Sequence, residues 1–592
     1  MSRWDNQGGF YMDNTNIVIL GGGYAGIEAA KKLHKQLRKI PNVSITLVDQ
    51  NPFHGLITEL HEVAGYRVEE DSVKVPLKHI LQYTKTKFIN DKVISINPEV
   101  QKVFLENGEL QYDYLIVAAG SEPTSFGIPG IEEHAYTLWS VDDAVKIKKQ
   151  IIKLFEMAQK EKNPEKRKEL LSLVVGGGGF TGIEMMGELM QWTKYLAREY
   201  KINPKEVKLI IVEALPEICH TLNEKLAKKV SDYLIKNGVE IITNAAITEV
   251  SPNAVFLKNG QTINTRLVIW TSGIQANSFV KETGLKLAKR NRIEVNKYLQ
   301  AVDHANIYAI GDNAFSTDEK GNSVPPFVEA ALQTATVAAQ NIANEIKGIK
   351  EKKIFKPKFH GFMVSVGSVY AVADIMGIGM SWLLATAMKH LVNLHYLFEI
   401  GGIETCITYL QHHFLSRARH KPAFLEMLID HFNARSRSYW LAIARIALGF
   451  VWLFSAVDKI SHGWLTAGDK LVSGASLQLI GPNTPAFYAW FVENIIYSYP
   501  LFFQTIITLT ELFIAVTLIS GAFTFFGAAA AIGMNINFFL SGTGQLYLLL
   551  AHIPMLGGAG RAFGLDHYIM PYLMKQLRYW QRNDTIKLNL WN

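Results

Sequence analysis

The chain has 592 residues, 19% of them charged, with two cysteines and a formal net charge of +7, a length that corresponds to three or four domains. Two cysteines, Cys219 and Cys406, exclude a disulfide scaffold, a CxxC redox pair and a four-cysteine zinc site, and with them the paired-cysteine chemistry of disulfide reductases. The charge is unevenly spread: residues 439–592 carry 8 Lys/Arg and 6 Asp/Glu, and between Leu471 and Gly560 the only charges are Glu493 and Glu511, the pattern of a water-soluble body joined to a membrane-embedded tail.

The opening MSRWDNQGGFYMDNT has no apolar core of a signal peptide, and Met12 is an alternative start because the first predicted strand opens at Asn16. One device then appears twice. An apolar strand from Asn16 runs into GGGYAGIEAA, and a second from Ser172 runs into GGGFTGIEMM, each opening a helix. Gly21, Gly23 and Gly26 fit GxGxxG in the first, and Gly177, Gly179 and Gly182 in the second. The first glycine makes the tight turn, the second admits a pyrophosphate to the backbone, and the third lets the helix pack on the sheet. Each motif is followed by a strand ending in an acid, Asp49 after ITLV and Glu213 after LIIV. Such a carboxylate accepts hydrogen bonds from ribose hydroxyls and repels a 2′-phosphate. Two complete strand–glycine–helix–strand–acid units predict two dinucleotide sites, and hence electron transfer between two carriers, flavin and nicotinamide being the usual pair.

With the segments FHGLITELHEVAG (53–65), YDYLIVAAGSEP (112–123), IYAIGDNA (307–314) and FHGFMVSVGSVYAVADI (359–375), these motifs resemble type II NADH:quinone dehydrogenases of the two-dinucleotide flavoprotein superfamily over nearly all of residues 14–420. The resemblance implies an α/β two-dinucleotide, Rossmann-type flavoprotein in which the first unit holds FAD and the second NADH. It places Asp49 at the FAD adenosine ribose, Gly311 and Asp312 at the FAD with Asp312 against the ribityl chain, and Glu213 at the NADH ribose. It also places Glu184 near the flavin, where nicotinamide and quinone approach, and Thr58 close to the flavin and quinone head. Two departures stand out. The family's quinone motif AQxAxQ is replaced by Leu332-Gln333-Thr334-Ala335-Thr336-Val337, which keeps the first Gln and the Ala. His360 stands where relatives often carry Lys; its pKa near neutrality suits a proton carrier, against the alternative of an ordinary hydrogen-bonded core histidine.

The implied domains are the FAD domain (14–125), the NADH domain (126–290), a return segment of the FAD domain (291–356), and membrane-surface helices framing a quinone entrance (357–420). Within the last, 380–400 and 403–420 read as amphipathic helices, whereas Asp374, three glycines and a strand-like MVSVGSVYAV argue against a membrane span over 362–384. His390, His395, His412 and His413 read as part of an interfacial face rather than as ligands.

The tail (438–580) reads as a four-helix transmembrane domain with spans at 439–457, 501–519, 523–540 and 545–557. Lys421, Arg435 and Arg437 before it and Arg561, Lys575, Arg578 and Arg582 after it place both its ends, and the body, in the cytoplasm of a multi-pass protein of a bacterial membrane. Gln504, Thr508 and Glu511 share one helical face, and an ionisable residue at membrane depth is a functional candidate; Glu511 is expected to line a polar pocket for a quinone head or a partner's polar group. Arg445, Gly449, Lys459, NINFFLSGT (535–543), GGAGRAFGLD (557–566) and Pro571 resemble DoxX/DoxD membrane proteins, among them partners of quinone-linked thiosulfate oxidation.

The combined reading is a membrane-bound, non-proton-pumping enzyme that takes hydride from NADH onto FAD and passes two electrons to a quinone. By resemblance to such fusions the quinone is a demethylmenaquinone-type carrier feeding extracellular electron transfer. The partners implied are the quinone pool and the bilayer, with no nucleic acid and no metal; a homodimer and a membrane partner for the tail stay open. The alternatives are a sulfide:quinone oxidoreductase-like flavoenzyme, which needs a close cysteine pair, and a nucleotide-sensing membrane scaffold or carrier.

Overall fold

The computed structural model describes residues 14–415, 439–468, 470–473, 479–481, 484–542 and 546–572, together with the short strands Arg3–Trp4 and Phe10–Tyr11. The chain divides into two compact units, Met1–Ile429 and Asp430–Asn592.

The first unit repeats one plan. Strand Thr15–Leu20 lies at the centre of a five-stranded parallel sheet, between Tyr114–Val117, with Ile307–Ala309 beyond it, and Val43–Asp49, with Thr86–Asn90 beyond. Strand Ser172–Gly176 takes the same central place in a second sheet, between Leu267–Trp270, flanked by Tyr136–Thr137, and Lys208–Val212, flanked by Val239–Ile242. These central strands are unbroken apolar runs because both sheet faces are covered: Ile17, Val18, Ile19 and Leu20 are buried, as is every residue of Ser172–Gly176. The glycine turns lead into helices Tyr24–Leu37 and Phe180–Glu199. Each half also carries a three-stranded antiparallel sheet, Val93–Asn97 with Lys102–Leu105 and Gly108–Gln111, and Ile247–Ser251 with Ala254–Leu257 and Thr262–Asn264. The return segment supplies an edge strand to the first sheet and the helix Val328–Ile346, which packs on Tyr24–Leu37.

Residues 361–381 form an antiparallel three-stranded sheet, Gly361–Ser365, Ala371–Ile375 and Ile378–Ser381. The amphipathic helix expected from 380 therefore starts at Leu383, because Ile378–Ser381 still pairs with the preceding strand. Helix Leu383–Leu410 breaks at Gly402 (φ 71°), close to the expected boundary between two helices, and ends in a π-turn Gln411–Leu415. The rest of the expected helix, to 420, lies outside the described residues.

In the second unit, helices Tyr439–Ser461, Pro500–Ser520, Thr524–Leu540 and Leu546–His552 stand at the four expected spans. Trp440–Ser461 and Pro500–Ser520 are long and apolar enough to cross a membrane; Thr524–Leu540 is shorter, and the fourth continues past His552 as a 3₁₀ turn, Ile553–Gly557. Glycine permits close helix approach: a Cβ at Gly449 would press on Ile519 at 2.7 Å, and one at Gly527 would overlap Thr517. The fully buried Arg445 donates to the carbonyls of Leu518 (2.9 Å) and Ala562 (3.3 Å), while Asp566 accepts from the backbone N–H of Phe523 and Thr524, capping the third helix.

Candidate active site

The two glycine turns are built alike. A Cβ at Gly21 would overlap the Ala118 carbonyl oxygen and one at Gly26 the Gly21 carbonyl oxygen, whereas nothing stands within 4 Å of Gly23. In the second turn, Gly177 is closed by Ser272 and Gly182 by the Gly177 carbonyl, and Gly179 again is open. Each turn thus presents a clear backbone face at a helix N-terminus, where a pyrophosphate finds unpaired N–H donors.

The acids are latched to these turns. Asp49 accepts from the N–H of Gly22 (2.6 Å) and of Asn51 (2.7 Å); Glu213 accepts from the N–H of Gly178 (2.6 Å) and of Leu215 (2.8 Å). Burial pushes the Asp49 carboxyl up. Asp312, whose carboxyl burial also pushes up, accepts from the Ser121 hydroxyl (2.6 Å), and the Gly311 N–H donates to Thr334 Oγ1 (3.0 Å). Ser121 and Asp312 line a pocket with Gln275, Arg290 and Arg292. Open glycine faces, latched acids and this pocket fit two bound dinucleotides, one at each sheet.

Glu184 lies on the helix that follows the second turn. It accepts from the Ser365 hydroxyl (3.3 Å), its other oxygen is 3.7 Å from His61 Nδ1, and burial pushes its carboxyl up to about 8. Behind it lies a buried charge cluster assembled from distant segments. Lys389 Nζ donates to Glu62 (2.9 Å) and Ser365 (3.3 Å) and stands 3.4 Å from Glu59; Arg67 Nη2 lies 2.6 Å from Glu62 and 2.8 Å from Glu188; His413 Nε2 lies 2.8 Å from Glu62. Burial penalises each charge, but the carboxylates override it at Lys389, held above the usual lysine range, and at His413, raised to about 9. Glu62 stays well below the ordinary carboxyl value despite burial because Arg67 and Lys389 face it, while burial lifts Glu188 to about 7. His61, buried beside the Lys389 cation, is held well below the usual histidine value.

Thr58 shares a 3.3 Å hydrogen bond with the Tyr24 hydroxyl, beside the rings of His54 and Tyr396. His54 bridges the Gly22 carbonyl (3.2 Å) and the Tyr396 hydroxyl (3.0 Å). Gln333 lies on helix Val328–Ile346, next to the Thr334 that accepts from the Gly311 N–H, and His360 stands at the start of the 361–381 sheet. The Gln333 amide is engaged at both ends by the Lys358 backbone, and the half-exposed His360 pairs with Glu329. His360 precedes strand Gly361–Ser365, whose far end touches Glu184, so a strand length of about 16 Å separates the two.

Sequence reading missed the cluster of Glu59, Glu62, Arg67, Glu188, Lys389 and His413. Its one sequence signal was Lys389, a lone Lys in the apolar stretch 383–398, since a buried lysine needs paired carboxylates. His413, read as an interfacial residue, is a member of this cluster. Cys219 and Cys406 are both buried and free, the first in the loop between Lys208–Val212 and the following helix, the second in helix Leu383–Leu410.

Known proteins resemble the chain in sequence and in fold. Type II NADH:quinone oxidoreductase of Staphylococcus haemolyticus (strain JCSC1435) is 29% identical over 395 residues, 66% of this chain and 97% of the relative. The protein of the same name from Staphylococcus saprophyticus is 27% identical over the same shares. Among solved structures, NDH2 from Plasmodium falciparum in complex with NADH superposes with a TM-score of 0.62 at 18% identity, over 69% of this chain and 99% of that one. The sulfide:quinone oxidoreductase of Aquifex aeolicus follows at a TM-score of 0.55 and 21% identity, over 71% of this chain and 95% of that one. The sequence profile of the pyridine nucleotide-disulphide oxidoreductases matches residues 15–341, more than half of the chain, and the chain belongs to that family.

Proposed function

We propose that the protein is an NADH:quinone oxidoreductase of the type II class, a flavoenzyme held at a membrane. The carrying observation is that two acid-latched dinucleotide cradles stand in one body with the buried carboxyl of Glu184 on the helix of the second. FAD, when bound, supplies hydride acceptance from the nicotinamide and two-electron delivery to the quinone. The protein's own part is placement, which brings reacting atoms to near-attack distance. Gly21, Gly23, Gly26, Asp49, Gly311 and Asp312 hold the flavin nucleotide; Gly177, Gly179, Gly182 and Glu213 hold NADH. Glu184, protonated up to about pH 8, holds the proton that quinone reduction consumes, and Thr58 stands at the quinone side. Gln333, beside the Thr334 that binds the Gly311 N–H, and His360, paired with Glu329, are the further quinone-side residues of this reading. Staphylococcal relatives bear the same activity in their name, and the absence of a close cysteine pair, with Cys219 and Cys406 buried and free, favours NADH over sulfide as reductant.

The apolar helices of the second unit and the exposed Met376, Ile378, Trp382, Leu383 and Leu384 support a bilayer location. The tail is then a DoxX/DoxD-like module, multi-pass, with the body on the cytoplasmic side and a menaquinone-type acceptor serving extracellular electron transfer. Anaerobic mixing of the purified protein with NADH, followed by quinones of graded polarity, tests the reading. Flavin bleaching by NADH and its reversal by quinone are expected; a flavin that NADH leaves oxidised, or that quinone leaves reduced, overturns it.

A further inference from the structure

Glu511, on the long helix Pro500–Ser520, is fully buried, and Lys459 reaches it from helix Tyr439–Ser461, donating to both carboxylate oxygens (2.9 and 3.0 Å) and to Ser455 Oγ (2.9 Å). Glu511 is eleven residues past Pro500, about 16 Å along the helix and near the midpoint of its 21 residues. A buried ion pair here is costly against an apolar contact of the same shape, so helix packing alone does not account for it.

A second, independent feature lies beside it. Trp464 is fully buried, with the Lys459 ammonium 5.4 Å from its ring centroid. Its backbone is fixed at both ends: its N–H donates to the Lys459 carbonyl (3.1 Å), and its carbonyl accepts from Gln504 Nε2 (3.0 Å). Yet its indole N–H has no hydrogen-bond partner among the described residues. A buried donor left without an acceptor is uncommon, and points to a missing group.

The missing group has a definite chemistry. It reaches an apolar helix bundle, so it is lipid-soluble. It offers an oxygen acceptor to the Trp464 N–H near the Lys459 cation, and a hydroxyl donor to Glu511 when reduced. A quinone satisfies both, as carbonyl and as hydroquinone. Resting on the reading that the body reduces quinone, we propose that the tail binds a quinone head at Lys459, Trp464 and Glu511, a second quinone site separate from the one at the flavin.

The test uses the full-length protein in phosphatidylglycerol vesicles with a photoreactive azidoquinone, the labelled peptides being identified by mass spectrometry. Label is expected on the peptides that carry Trp464 and Glu511, displaced by excess unlabelled menaquinone. Trp464→Phe keeps the ring and loses one hydrogen bond, so tail labelling falls about two- to tenfold, while body labelling and NADH oxidation with a short-chain quinone stay unchanged. Glu511→Gln, which keeps hydrogen bonding, lowers it less than Glu511→Met. A labelled body with an unlabelled tail, equal tail labelling in Trp464→Phe, or displacement by oleic acid but not by quinone overturns the tail site. An unlabelled body that NADH cannot reduce overturns the proposed activity instead.

Discussion

Glu213 accepts two backbone N–H groups, and its remaining lone pairs are the ones we propose for the NADH ribose. Its negative charge disfavours a 2′-phosphate at the same place. Glu213→Gln is expected to raise KM for NADH and improve use of NADPH, narrowing the preference about tenfold, the scale of one charge-assisted hydrogen bond. Equal kcat/KM for the two nucleotides in the unaltered protein would remove Glu213 from the nucleotide site. At Glu184, a carboxyl raised from 4.5 to about 8 binds a proton in the fold that the unfolded chain has already released. Its stabilising contribution is complete below pH 4.5 and is lost as pH rises through about 8, with a slope up to about 1.4 kcal/mol per pH unit. Glu184→Gln should flatten the fall in thermal stability over that window and remove the matching alkaline limb from kcat. Identical pH profiles for the two proteins would show that this proton plays no part.

At the scale of elements, Lys389 ties the C-terminal helix Leu383–Leu410 to the segment that carries Glu59 and Glu62. Removing one member of a buried charge set leaves its partners uncompensated, at about 3–5 kcal/mol, so Lys389→Met should lower the unfolding midpoint in urea sharply. A loss under about 1 kcal/mol, the range of exposed pairs, would mean that water reaches the cluster. This network also marks where sequence reading stops. The glycine turns and their acids were legible because turn, helix start and strand end are local patterns a few residues long. Lys389 meets Glu62 across 327 positions, and nothing local in LHEVAGYR or AMKHLVN states that pairing. Gln333 and His360 were picked by motif position, but a backbone clamp and the exposed Glu329 pair decide where they sit. The helix start at Leu383 was misjudged because Ile378–Ser381 is apolar enough for either structure, and only its pairing with Ala371–Ile375 makes it a strand.

For the whole molecule, the largest core cluster runs from Ile17 to Tyr409 within the first unit, and the second unit has clusters of its own, around Trp464 and around Trp452. A chain ended after residue 429 is therefore expected to fold, hold flavin and oxidise NADH with a short-chain quinone at close to the parental kcat. A flavin-free or insoluble product would show that the first unit needs the tail to fold. The division into body and tail was legible in the charge distribution, since transfer into hydrocarbon excludes charge from long stretches of chain. Glu511 was singled out for the same reason, but its partner Lys459 lies 52 positions away on another helix, a pairing that composition does not reveal.

The twin latches, Asp49 on Gly22 and Glu213 on Gly178, bear on how the nucleotides are captured. A free carboxylate side chain must give up rotamer freedom when it grips a ligand, at about 0.5–1.5 kcal/mol for each group immobilised. Here that ordering is completed during folding, when the strand end and the glycine turn come together. On the proposed reading both sites are preorganised, so each nucleotide meets an acid already aimed, and the entropy of association is less unfavourable by that amount at each site.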